Sequence, residues 1–196
     1  MPRTIAPLNA PAPADLPRLR WNADQYESLF MMGLLPSGKY ELIAGDVVEK
    51  MPIKDSHAYI VTLLFAFFSR FCAFPLLRPA FTLAISTNDL PEPDFAVLTT
   101  PTPTRTACGY LQPTDLQLVV EVSDATLTRD LTAKATLYAA AGIGEYWVID
   151  VVGRCLRVHV GPNAGIYTRV IEYAETDLVA PGFSLTDTVL VSALLP

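Results

Sequence analysis

Cysteine is scarce in this chain: Cys72, Cys108 and Cys155 are its three thiols among 196 residues. Their number is odd and no pair has metal-ligand spacing. That argues against a disulfide framework and fits a reduced, cytoplasmic setting. Positive charge is short as well, since 14 Lys and Arg against 20 Asp and Glu leave a formal net charge of -6 and a pI near 4.8. Such a balance argues against a grip on nucleic acid spread over the whole surface, but leaves room for a local basic groove. No apolar run is long enough to span a bilayer: the most apolar stretch, 58–68, stops at Ser69 and Arg70, and no membrane association is expected. The opening MPRTIAPLNAPAPADLPRLRW has prolines where a secretory signal needs a continuous apolar run, so residues 1–20 read as a flexible arm. There is no internal repeat and no recognisable DNA-reading module.

What is present is apolar substance. At 51% hydrophobic residues, the chain can build one full core, expected over 21–196. Asn22 and Gln25 form a capping-box pair that predicts a helix over 23–32, with Gly33 as its stop. KYELIAGDVVEKM predicts a hairpin of 40–43 and 47–51 turning at Gly45-Asp46, with Glu41 opposite in direction to Tyr40 and Leu42. Asp55 or Ser56 can cap an all-round apolar helix from His57 to Cys72. Strands are expected over 81–86, 94–98, 116–122, 145–151, 154–160 and 166–173, with a long loop over 99–114 and a last strand and terminal turn over 189–195. A helix is expected over 128–141, closed by Gly142. The order predicts an α/β fold in which a mixed β-sheet is flanked by helices, with additional β-hairpins.

Within the apolar strand LQLVVEV lies an acid, Glu121. Burying an unpartnered carboxylate costs several kcal/mol, so Glu121 requires a cation, a donor or a metal beside it. On a wheel of 100° per residue, Asp130, Lys134 and Tyr138 share a sector with Leu127, Leu137 and Ala141, while Arg129, Thr132, Thr136 and Ala140 fall on the far side. Lys134 therefore faces inward on this reading. The plainer alternative is an exposed Asp130–Lys134 pair worth about 0.3–0.5 kcal/mol. If the strands carrying Asp94 and Glu121 are neighbours, their carboxylates meet and repel unless a divalent cation joins them. A solvated strand-end acid is the alternative.

YELIAGDVVEKMP, the helix-opening His57, PEPDFAVL, LVVEVSD and RDLTAKATLYAAAGIGEYWVID together resemble the Uma-two family of restriction-endonuclease-like proteins, a branch of the PD-(D/E)XK nuclease superfamily. The resemblance covers residues 21–183, and the last block is its most specific part. It implies a restriction-endonuclease-like fold and a Mg²⁺-dependent endonuclease acting on DNA, with Mn²⁺ able to substitute. Asp94 and Glu121 are then the metal-binding carboxylates and Glu41 an accessory acid near the metal. The superfamily's usual lysine follows the strand glutamate by two residues, where this chain has Ser123. The resemblance places that role on Lys134, beside the scissile phosphate.

The resemblance also makes His57 a contact to substrate or water, against the commoner role of a helix-start histidine as a cap or surface residue. Asp130 is expected to orient Lys134, and Tyr138 to pack with its hydroxyl near the site. Glu145 and Trp147 read as structural. His159, among Arg154, Arg157 and Arg169, sits on a late hairpin that reads as a solvated face or, alternatively, as a phosphate contact. A homodimer is consistent with the family and the apolar content. From a different class, the acidic charge and Ser123 support a catalytically inactive nuclease-fold protein that binds nucleic acid or a protein partner.

Overall fold

The computed structural model describes residues 18–36, 38–52, 54–103 and 109–196. Most of the expected arm, residues 1–20, lies outside them, as does Cys108. The arm's last residue, Arg20, is tied down: it bonds the Ala44 carbonyl at 2.9 Å and pairs with Asp46 at 2.5 Å. Helix α1 (Ala23–Met31) starts at the expected capping box, in which Asn22 accepts from the Gln25 N–H and Gln25 from the Asn22 N–H.

Strands β1 (Tyr40–Ile43) and β2 (Asp46–Glu49) form the hairpin. Its turn is Ala44-Gly45, not the expected Gly45-Asp46. Both turn residues have positive φ, 50° and 75°, which suits the twist of two adjoining strands, and Asp46 pairs with Ile43. Helix α2 (Asp55–Phe68) begins before the expected His57 and ends before Cys72. Lys54 stands at its cap without a side-chain hydrogen bond, so neither Asp55 nor Ser56 caps it.

The expected strand over 81–86 does not form, and its place at the sheet edge is taken by β3 (Leu77–Pro79). Ala80, at φ 37°, turns the chain off the sheet. The following amides of Leu83, Ala84 and Ile85 then donate to the carbonyls of Pro91, Leu111 and Asp89.

Strands β4 (Phe95–Leu98), β5 (Leu116–Ser123), β6 (Glu145–Asp150), β7 (Cys155–Asn163) and β8 (Ile166–Ala174) complete a six-stranded sheet in the order β3-β4-β5-β6-β7-β8. The β5–β6 pair is parallel and the other neighbours are antiparallel, giving the mixed sheet expected. Strands β9 (Leu178–Val179) and β10 (Val189–Leu190) add a small ladder, followed by a turn of 3₁₀ helix.

Side-chain alternation along the sheet decides what each layer receives. Phe95, Val97, Leu118, Val120, Val122, Trp147 and Ile149 pack with Ile60, Leu64 and Phe68 of α2. Ala96, Leu98, Val119, Tyr146 and Val148 point the other way, onto Ala135 and Tyr138 of the helix that crosses from β5 to β6. Glu121 shares the parity of Val119, so a strand apolar on both faces delivers its one acid under that crossing helix.

The crossing helix, α3 (127–140), is not the uniform helix expected. Leu127–Arg129 and Ala135–Ala140 are α-helical, but Asp130–Lys134 opens into a wider turn of i→i+5 type. The Asp130 carbonyl accepts the Tyr146 hydroxyl at 3.0 Å, and its carboxylate accepts Ser123 Oγ at 2.6 Å and Thr126 Oγ1 at 2.5 Å. A side chain bonded into the helix ladder in this way loosens it locally. Among the described residues, no helix is long and apolar enough to cross a membrane.

Candidate active site

In the β4–β5 ladder Phe95 stands opposite Val120. Carrying that register out by one residue puts Asp94 opposite Glu121. Directly opposed side chains in an antiparallel pair have Cβ atoms about 4.5–5.5 Å apart, and like charges there repel. Asp94 is steered by the Val122 N–H, which its Oδ2 accepts at 2.7 Å; His57 Nε2 lies 3.0 Å from its Oδ1 without hydrogen-bond geometry. His57 arrives from the first turn of α2, on the other side of the sheet, and reaches around its end.

Glu121 is 3% exposed and Glu41 1%, so both need partners within the protein. Lys134, also 3% exposed, supplies them: its ammonium lies 2.8 Å from Glu121 Oε1 and 3.1 Å from Glu41 Oε2. The Tyr138 hydroxyl donates to the same Glu121 Oε1 at 2.6 Å, and the Glu92 N–H donates to Glu41 Oε2 at 3.3 Å. The widened turn and the α-helical turn after it thus place Lys134 and Tyr138 over one strand residue.

The electrostatics follow from four acids crowded around one ammonium. Burial raises the Glu121 carboxyl well above its usual range and Asp94 less far, with Lys134 opposing both shifts. Burial alone would depress the Lys134 ammonium. The carboxylates of Glu121, Glu41, Asp130 and Asp94 outweigh it and hold the ammonium charged. Burial, reinforced by Glu121, raises the Tyr138 phenol, which stays a donor.

Apart from Tyr138, these groups line a cleft of about 390 Å³ that also admits Lys50, Lys54, Glu92, Asp124 and Arg129. Asp94, Glu121, Glu41, Lys134 and His57 thus come together at one place. Asp130 is beside them but does not orient Lys134 directly, nor form the i,i+4 pair with it. Its bonds go to Ser123 and Thr126, because the opened turn swings its carboxylate toward the end of β5. Ser123, two residues after Glu121, is therefore committed to anchoring the helix that carries Lys134.

Arg129 was expected on the far side of the helix. It lines the cleft instead, with Nη2 3.4 Å from Glu41 Oε1, because a uniform wheel misplaces residues across a widened turn. Sequence reasoning also passed over the Lys50–Glu92 pair at 2.6 Å and the Lys54–Asp124 pair at 2.5 Å. Lys50 belongs to the quoted hairpin block, but nothing in local spacing links it to Glu92.

Away from the cleft, Trp147 Nε1 donates to Glu145 Oε1 at 2.7 Å and the Gly182 N–H to Glu145 Oε2 at 2.7 Å. His159 is not part of a solvated face. It is 4% exposed, packed against Tyr146 and Tyr167, and burial holds its imidazole below the ordinary value.

A mixed sheet with helices on both faces, with two acids meeting across its β4–β5 pair, defines a restriction-endonuclease-like fold. A crystal structure from Anabaena variabilis, described as a "putative nuclease belonging to DUF820", superposes with a TM-score of 0.68 over 88% of this chain and 96% of that one, at 14% identity. The family model described as "Putative restriction endonuclease" (Uma2) matches residues 23–189, and the chain belongs to that family. No curated protein sequence matches it.

The resemblance read from the sequence implies a divalent cation. Among the described residues no three His, Cys, Asp or Glu side chains gather closely enough to hold a metal unaided. The donor set nevertheless suits Mg²⁺, which is bound through one or two carboxylates while waters and substrate oxygens complete its shell. The charge balance agrees. By formal charge, Glu41, Glu92, Asp94, Glu121, Asp124 and Asp130 line the cleft against Lys50, Lys54, Arg129 and Lys134, an excess of two acids over bases that a divalent ion would offset.

Proposed function

We propose that this chain is a Mg²⁺-dependent endonuclease that hydrolyses DNA phosphodiester bonds, with Mn²⁺ able to substitute. The observation that carries this reading is the opposition of Asp94 and Glu121 across β4–β5 at the floor of a cleft, with Lys134 2.8 Å from Glu121. Asp94 and Glu121 would hold the ion, with Glu41 as an accessory acid. When bound, the ion supplies Lewis-acid stabilisation of the scissile phosphate and lowers the pKa of an attacking water. Lys134 stabilises charge developing on the phosphate, and the Tyr138 hydroxyl keeps Glu121 aimed into the cleft. His57, beside Asp94 with its Nε2 free of hydrogen bonds, would contact the substrate or a water. The proposal extends to a cytoplasmic homodimer, a setting that the free thiols of Cys72 and Cys155 suit.

The test is incubation of purified protein with DNA and Mg²⁺ or Mn²⁺, alongside Asp94→Asn, Glu121→Gln and Lys134→Ala. Loss of one charge-stabilising group lowers the rate on the order of 10²- to 10³-fold. Cleavage that persists in Glu121→Gln and Lys134→Ala sinks the mechanism. The two ion pairs of Lys134 are also what a purely structural cluster would contain, which favours, as a second reading, a nuclease-fold protein that binds without cutting. Calorimetric titration with Mn²⁺ separates the two, since the binding-only reading predicts no metal affinity that Asp94→Asn abolishes.

A further inference from the structure

The cleft's cations differ in how fully they are used. The Lys134 ammonium donates to Glu121 at 2.8 Å and lies 3.1 Å from Glu41, so little of it is left to offer. Lys50 and Lys54 are bound to Glu92 and Asp124. Arg129 stands apart. Its Nε is buried without a hydrogen-bond partner, and its contact with Glu41, at 3.4 Å, lacks hydrogen-bond geometry. Glu41 Oε1, 1% exposed as a residue, is likewise without a hydrogen bond, while its other oxygen is served by Lys134 and the Glu92 N–H. Glu41 is thus already held, and Arg129 is brought beside it with its donors unspent.

The guanidinium is partly open to the cleft, its side chain 25% exposed, but the sealed Nε is a costly unmet donor unless an acceptor arrives. The acceptor must be anionic, must reach a cleft that already carries excess negative charge, and must present two oxygens to a planar fork. A phosphodiester phosphate meets those demands, with its two non-bridging oxygens matching parallel N–H donors. We infer that Arg129 is the phosphate-orienting residue of this cleft, leaving its loose contact with Glu41 to bind a backbone phosphate of the substrate. The inference rests on the nucleic-acid reading above and names a residue which that reading leaves out. In this arrangement Arg129 fixes the phosphate while Lys134, held between two acids, acts on the charge that develops there. Departure of Arg129 also frees Glu41 Oε1 toward the cleft.

The experiment measures binding of a short labelled DNA duplex by fluorescence anisotropy across a salt series, with Ca²⁺ replacing Mg²⁺ so that turnover does not consume the probe. Wild type, Arg129→Ala, Arg129→Lys and Glu41→Gln are compared, with circular dichroism on each. Arg129→Ala should weaken binding about 10- to 100-fold and lower the slope of log affinity against log salt by about 0.9, the signature of one lost phosphate contact. Arg129→Lys, which keeps the charge, should retain the slope but lose affinity because it lacks the fork, and in a parallel assay with Mg²⁺ it should lose single-turnover cleavage. Glu41→Gln should keep the full slope. Should Arg129→Ala fail to fold, Arg129→Lys decides: wild-type affinity and cleavage in that variant overturn the assignment. Binding by wild type with an unchanged slope in a folded Arg129→Ala overturns Arg129 alone. Absence of duplex binding by wild type overturns the nucleic-acid reading together with it.

Discussion

Replacing Lys134 with methionine keeps the length and apolar stem of the side chain and deletes the ammonium. That group lies 2.8 Å from Glu121 and 3.1 Å from Glu41, and its side chain is 4% exposed, so water screens little of the loss. Removing one partner of a buried ion pair costs about 3–5 kcal/mol. Two carboxylates are stranded here, but the Tyr138 hydroxyl still donates to Glu121, and burial already favours a proton on that acid. The expected loss at neutral pH is therefore about 3–4 kcal/mol, the lower part of that range. At about 2–4 °C per kcal/mol for a chain of this size, the Tm falls by about 6–16 °C.

The assay is thermal unfolding by circular dichroism in chelator-treated buffer, for wild type, Lys134→Met and Lys134→Met/Glu121→Gln. The folded-state pKa of Glu121 lies above its unfolded value near 4.5. The folded protein therefore binds the proton more tightly, and the stability gained from protonation is fully present below that unfolded value and lost as pH rises through the folded one. The deficit of Lys134→Met should shrink on acidification, and the double variant should recover most of it at neutral pH. A Tm for Lys134→Met within about 2 °C of wild type in metal-free neutral buffer would refute the reasoning.

Gly45→Ala should cost about 1–2 kcal/mol, read by urea unfolding, because φ there is 75° and a Cβ would come 2.9 Å from Arg20 Cβ; an unchanged midpoint would contradict the turn assignment. Ser123→Ala removes one of two hydroxyl donors to the Asp130 carboxylate and should cost about 1.5–3 kcal/mol, again by denaturant unfolding. His159 has a folded pKa depressed by burial below 6.5, so its contribution is full above that value and lost as pH falls through the folded one. In His159→Phe the fall in Tm on acidification should be shallower than in wild type, and a parallel pH profile would count against a buried neutral imidazole.

Much of the sheet could be read from the chain because its central strands are apolar on both faces, and a strand such as LQLVVEV leaves little choice but a central position. The capping box fixed the start of α1 in the same local way. Failures arose where non-local bonds decide. Nothing within 81–86 reports that Ala80 turns the chain away, nor does the hairpin sequence say which dipeptide takes the two positive φ values. At the site, periodicity pointed Lys134 inward, whereas pairing Asp94 with Glu121 needed a strand register that only the folded sheet supplies. Arg129 was assigned to the wrong side for a specific reason: Tyr146, sixteen residues beyond Asp130, bonds to the Asp130 carbonyl in the helix ladder and alters its pitch. A wheel drawn from sequence assumes the pitch is constant.

The widened turn at Asp130–Lys134 absorbs one residue more than a regular helical turn holds. Thr132 and Ala133, inside it, are exposed. A regular ladder of the same length would rotate everything upstream by about 100° relative to Tyr138, carrying Arg129 out of the cleft and Asp130 away from Ser123, although every functional residue would still be in the chain. Deleting one residue and closing the ladder together would instead leave both flanks in register. Relatives of this protein should therefore tolerate a spacing from arginine to tyrosine that is one residue shorter, with a regular turn in place of the widened one. A motif search that allows that single step in length, and ignores the letters between, is the one suited to finding them.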